Sequence, residues 1–116
     1  MMPTKALVTA LVVASVVGLA LLIERQAEAP GYTFPPGASV PWHIHPDAHE
    51  FDYQLDGALL LQTDGQPSKA LKRGDAVYVA PNVVHRGVNV SRTQAAKIFV
   101  VRVKPKDKPL TTEVQP

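Results

Sequence analysis

Apolar and polar positions divide the chain into two parts with different periodicities. From Ala6 to Ile23 the residues are nearly all apolar, broken only by Thr9, Ser15 and Gly18. Beyond that run, apolar residues come in short alternating stretches separated by turn residues. Ten of the eleven prolines lie in this second part, so long helices are not expected there. The pattern predicts strands over 42–45, 50–55 and 58–63, with Asp56-Gly57 as the hairpin turn between the last two. Asp64-Gly65 marks a second turn, followed by a strand over 67–71. Arg73-Gly74-Asp75 marks another, before strands over 76–80, 84–90 and 97–103. Short strands at this spacing predict an all-β sandwich or barrel. The tail from Lys108 to Pro116 is expected to be an extended, surface-packed segment.

The first part has the layout of an export segment. Lys5 precedes the apolar run, Glu24-Arg25 follows it, and Ala27-Glu28-Ala29 offers a cleavage site. Pro30 beside that bond disfavours cleavage, and the run is long enough to span a bilayer with little tilt. Residues 1–29 are therefore expected to be a hydrophobic helix, either a removed signal peptide or a retained membrane anchor through 6–23. Residues 30–116 form the domain. Either reading puts that domain outside the cytoplasmic membrane, in the periplasm or beyond it.

Charge and composition narrow the partners. The net charge of the 116 residues is +2, and the basic residues form no stripe with interleaved aromatics, so nucleic acid is not expected as a partner. The chain has no cysteine, which excludes disulfides, thiol catalysis and thiolate ligands.

The four histidines concentrate the candidate chemistry. His43 and His45 are two residues apart, so on a strand both imidazoles project from one face. His85 lies in a second cluster. A carboxylate joining these three nitrogens would make a compact N₃O metal site.

The residues around these clusters resemble the two motifs of the cupin superfamily. Gly37, His43, His45, Glu50 and Gly57 match every fixed position of the first, G-x5-H-x-H-x3,4-E-x6-G. Gly74, His85 and Asn89 match the second, G-x5-P-x-G-x2-H-x3-N. In that second motif Ala80 takes the place of the proline and Asn82 that of the glycine, where asparagine tolerates a left-handed backbone. The resemblance covers about half the chain, from Gly37 to Asn89, and its tail is similar to that of small exported bacterial cupins. It implies a cupin jelly-roll barrel of six to eight strands with one metal in its mouth, bound by His43, His45, Glu50 and His85. Such ligands suit Mn, Fe, Ni, Cu or Zn and leave open positions for water, O₂ or a chelating substrate.

If Glu50 faces the interior, alternation turns Asp52 and Gln54 inward too. Glu50 and Asp52 are then the candidate catalytic acid–base groups. His49 is expected at the surface or behind the ligands. Trp42, Phe51, Tyr53, Tyr78 and Phe99 are expected in the core, and Arg86 is expected to face away from His85. The functional expectation is an exported metal-binding cupin, acting as a dioxygenase-like enzyme on a small oxygen-rich substrate. The alternative is a non-catalytic periplasmic module that binds a metal or small ligand. Few residues precede the first motif, so an open sheet edge and a homodimer are also expected.

Overall fold

The computed structural model describes residues 25–116. Ten strands follow in chain order. They are β1 (Arg25–Glu28), β2 (Gly31–Phe34), β3 (His43–Ile44), β4 (His49–Asp56) and β5 (Ala58–Thr63), then β6 (Lys69–Lys72), β7 (Ala76–Val79), β8 (His85–Val88), β9 (Ala96–Pro105) and β10 (Thr112–Glu113). The expected strands are all present, with ends shifted by a few residues.

Two antiparallel sheets of five strands make a jelly roll. One has the order β1-β9-β4-β7, with β2 also on β9; the other runs β10-β3-β8-β5-β6. The sheets meet through Leu59, Leu61 and Leu71 on one side and Ala96, Ile98 and Val100 on the other, with Phe34 and Val77 packed alongside. Each fully buried leucine here contributes about 1.5–3 kcal/mol. Asn89 ties the base of this core together. Its amide donates to the carbonyls of Phe34, Pro35 and Gln94, and its Oδ1 accepts from Ser91 N–H.

Turn chemistry sets the strand register. Gly57 sits at φ 64°, and a Cβ there would meet Ala95 O at 2.5 Å, so only glycine fits the β4–β5 corner. Asn82 takes φ 64° in place of the motif's glycine. Its amide donates to Asp47 Oδ1 at 3.0 Å, and Asp47 N–H donates back to Asn82 Oδ1 at 3.1 Å. That reciprocal pair clamps the turn before His85 to the turn after His45.

Two expectations change. The edge expected to be open is occupied, because β1 and β2 together cover β9 from Pro105 to Ala96. The edge of that sheet passes to β1 and β2 themselves. β1 lies before the expected domain start at Pro30 and pairs with β9. The C-terminal tail is not merely laid on the surface: it forms β10 against β3. The N-terminal helix and the apolar run 6–23 lie outside the described residues. Among the described residues, no helix is long and apolar enough to cross a membrane.

Candidate metal centre

Two neighbouring strands bring the three histidines together. His43 opens β3 and pairs directly with His85 at the start of β8. His45 lies just past the end of β3 on the same side. The three ring centroids are 4.5, 4.8 and 5.2 Å apart, and one ligand nitrogen from each ring lies within 4.8 Å of the other two. All three side chains are buried.

Each ring is oriented by a backbone carbonyl. His43 Nδ1 donates to Pro41 O at 2.7 Å, His45 Nδ1 to Leu110 O at 2.7 Å, and His85 Nδ1 to Val83 O at 2.8 Å. A carbonyl only accepts, so each Nδ1 carries the hydrogen. In the neutral ring that leaves the Nε2 lone pair free, which is the tautomer a metal requires. Burial lowers the His43 pKa, with His85 and His45 adding to the effect, and so favours its neutral form.

Glu50 enters from β4 in the opposite sheet. Its Oε2 is 2.8 Å from His45 Nε2, and its Oε1 is 3.4 Å from His85 Nε2. Arg102, directly across from it on β9, donates Nε–H to Oε2 at 2.5 Å and Nη1–H to Tyr32 OH at 2.9 Å. Burial alone would raise the Glu50 pKa. The contacts with His45 and His85 and the Arg102 charge outweigh burial and hold it well below the carboxylate range. Burial likewise opposes the Arg102 charge, but Glu50 and Tyr32 hold the guanidinium still more firmly protonated.

This arrangement fits a cation. His45 Nε2 is buried and makes no hydrogen bond, although it lies beside a carboxylate oxygen. With the hydrogen on Nδ1, two acceptors face each other at 2.8 Å and repel unless a positive charge joins them. A metal ion held by the three histidines would supply that charge.

Asp52 and Gln54 turn inward behind Glu50, as alternation predicts, and both are buried. Burial raises the Asp52 pKa. The Glu50 charge and a hydrogen bond shared with Glu50 raise it further, to about 8, against a weaker opposing pull from Arg102. Asp52 Oδ1 has no hydrogen-bond partner among the described residues. Gln54 Nε2 donates to Asp56 O at 2.9 Å, so its amide helps shape the corner before Gly57.

A cavity of about 290 Å³ opens onto these groups. Its polar end carries the three histidines, Glu50, Asp52 and Arg102. The rest of its lining is mostly apolar, with Leu59, Leu61, Ile98 and Val100 among it, although Tyr32, Thr111 and Glu113 also reach it. Arg102 and Tyr32 are the site residues that pattern reading missed. Outward Phe99 and Val101 are as apolar as inward Ile98 and Val100, so the pattern of β9 left its two faces ambiguous.

The remaining expectations sort clearly. His49 is exposed and hydrogen-bonds Tyr78 OH at 2.6 Å, away from the centre. Phe51, Tyr53, Tyr78 and Phe99 are not core residues. Turning Glu50 inward puts Phe51 and Tyr53 on the outer face of the sheet, where Tyr78 and Phe99 pair with them. Trp42 is half-buried under the Arg86 guanidinium, 4.7 Å from the ring centroid. Arg86 also donates to Gln62 Oε1 and does not line the cavity, as expected.

Comparison with known proteins agrees with this architecture. TcmJ, a tetracenomycin polyketide synthase protein of Streptomyces glaucescens, is 30% identical over 66 residues, 57% of this chain and 44% of TcmJ. The chain spans less than half the length of the curated relatives it matches. An oxalate oxidase solved with the substrate analogue glycolate superposes with a TM-score of 0.64 at 25% identity, over 76% of this chain and 46% of that one. A Klebsiella pneumoniae protein with a double-stranded β-helix domain superposes with a TM-score of 0.65 at 21% identity, over 78% and 76% of the two chains. The family description that matches is the cupin domain, over residues 32–102, which contain every histidine, Glu50 and the whole of the core. On that match and this fold, the chain belongs to the cupin family.

Proposed function

We propose that the chain is a metal-dependent cupin that binds one divalent transition metal (Mn, Fe, Ni, Cu or Zn) through His43, His45 and His85, with Glu50 as the fourth ligand. The observation that carries this reading is the set of three buried imidazoles whose Nδ1 hydrogens are all tied to carbonyls. A metal bound there supplies Lewis-acid or redox chemistry to a ligand oxygen at an open position. Glu50 is shared between that centre and Arg102. Asp52, whose carboxyl is raised by burial and by the Glu50 charge, is placed to exchange a proton with a bound ligand or with Glu50.

The cavity refines the expected substrate. Its lining is mostly apolar, with polar groups gathered around the three histidines, which favours a small molecule with oxygen donors at one end and an apolar body. The glycolate bound to the similar oxalate oxidase supports the donor end of that description. Dioxygenase-like turnover is the activity proposed.

We also propose export with the N-terminal segment retained as an anchor. Cleavage after Ala29 would strip β1 from β9 and expose the Arg102–Pro105 edge. N-terminal sequencing of the protein recovered from cell fractions tests this, and a mature chain starting at Pro30 would overturn it.

For the metal reading, the test is elemental analysis of the purified full chain, then O₂ uptake with hydroxy acids, enols and phenols carrying apolar groups. One metal per chain with O₂ consumption supports the enzyme. Metal and ligand binding without turnover moves the reading to a non-catalytic binding module, and a metal-free chain that takes up no added ion overturns it.

A further inference from the structure

His43 and His85 receive their orienting carbonyls from two residues upstream, in the segments that lead into their own strands. His45 receives its own from Leu110, 65 residues away. Thr111 Oγ1 stands 3.3 Å from the same nitrogen. The segment that brings these groups in is the tail after β9. It turns at Lys108, whose amide donates to Pro105 O, and then runs beside β3. Thr112 pairs with Ile44 and Glu113 with His43, and Val114 N–H donates to Trp42 O at 3.0 Å. Leu110, Thr111 and Glu113 line the cavity.

We infer, resting on the metal reading above, that residues 106–114 are a strap that completes the metal site and gates it. Docked, the strap sets His45 as the Nδ1–H tautomer, with Nε2 aimed at the centre, and closes one wall of the cavity. Undocked, it leaves His45 without a tautomer preference and opens that wall. The strap is suited to this because its hold is slight. β10 is a two-residue edge strand, and its outer ion pair, Lys108 to Asp47 at 3.9 Å, is exposed. Elements held by so few buried contacts open at low free-energy cost. Leu110 and Thr111 are thus positioning residues that act through His45.

The chain contains no cysteine, so a single engineered disulfide can be read cleanly. Ile44→Cys with Thr112→Cys links β3 to β10 on the side facing away from the cavity, at a spacing antiparallel partners can bridge. In zinc-loaded full-length protein, EDTA should remove zinc at least about 10-fold more slowly from the oxidised form than from the reduced form of the same molecule. Thr112→Pro removes a ladder donor and undocks the strap without touching the core. It should weaken zinc binding by about 10–100-fold, the range for losing a partner behind a metal-bound histidine.

Nitrogen-15 spectra of metal-free Thr112→Pro at pH 8 give a readout independent of metal. His45 should lose its Nδ1–H preference while His43 and His85 keep theirs. Equal zinc loss from oxidised and reduced protein would overturn the gate. An unchanged His45 tautomer in Thr112→Pro would overturn the orienting role. A wild-type chain that binds no zinc or other divalent ion would overturn the metal reading instead, and the tautomer spectra would still decide the strap.

Discussion

On the inward face of β4 stand Glu50, Asp52 and Gln54, which are 3%, 6% and 0% exposed. On the outward face of the same strand stand Phe51, Tyr53 and Leu55, which are 50%, 46% and 44% exposed. Most half-buried strands do the opposite, with apolar residues in and polar residues out. Strand β5, across the barrel, follows that rule, with Leu59 and Leu61 buried. The inversion runs along β4 and continues on the neighbouring end of β9, where Arg102 and Lys104 are buried as well. Burying an unpaired polar group costs about 1–3 kcal/mol, and a charge costs more. Folding alone would therefore favour β4 turned over. What offsets the cost is the register set by Gly57 and the ion pair with Arg102, and the inverted face is where the chemistry collects.

Substitutions on the two faces should differ sharply, beginning with metal affinity. Removing a nitrogen opposite the inner face, as in His85→Ala, should weaken metal binding by at least about 100-fold, more than the loss of a supporting partner does. Phe51→Ser, on the outer face, should leave affinity unchanged in isothermal titration. Equal affinities for the two variants would end the distinction.

The next effect is on the metal-free fold. Glu50→Leu leaves the Arg102 charge buried and unpaired and should cost about 3–5 kcal/mol in urea unfolding. Glu50→Leu combined with Arg102→Leu should recover most of that loss, because no charge is then stranded. A double variant as unstable as the single one would show that the pair is not the source.

A smaller effect depends on pH. The Asp52 carboxyl is raised to about 8 in the fold, so between its ordinary value of 3.8 and pH 8 the folded state holds a proton that the unfolded state has released. Stability then falls as pH rises through that window. Glu50 and His43 have the opposite sign. Both are depressed, so their contributions are lost on acidification, that of His43 below about pH 6.5. Metal-free Asp52→Asn should match the wild type near pH 4 and exceed it increasingly toward pH 8, by on the order of a few kcal/mol. A constant difference across pH 4–8 would mean that Asp52 is ionised in the fold.

The smallest effect is expected outside. Phe51→Ser should change stability by less than about 1 kcal/mol, as half-exposed surface changes do. It also sharpens the question of assembly. If two copies associate through this aromatic face, the variant should lower the molar mass measured by light scattering. A monomer both before and after would show that the exposed aromatics serve no self-pairing.

Much of this was legible in the chain because it depends on local chemistry. The His43-Ile-His45 spacing, the Asp56-Gly57 hairpin and the alternation through Glu50, Asp52 and Gln54 are short-range patterns, and strand geometry carries them directly into the fold. Asn82 behaved as its side-chain chemistry suggests, in the left-handed region. Arg102 was not legible, because both faces of β9 are apolar over most of its length. Nor was the role of Leu110, because a backbone carbonyl leaves no trace in residue type. Hydrophobicity alone does not place Phe51, Tyr53, Tyr78 and Phe99, because the inward turn of Glu50 fixes the alternation that puts them outside.

The chain by itself carried the family resemblance, which named the ligand set, together with the strand inventory and the placing of His43 and His45 on one face of their strand. These follow from period-two geometry and turn residues within a few positions of one another. Only the tertiary structure decided that Arg102 claims Glu50, that Asp52 holds its proton, and that the tail orients His45. Each depends on strands far apart in sequence meeting across the barrel, where burial and charge at close range decide the outcome.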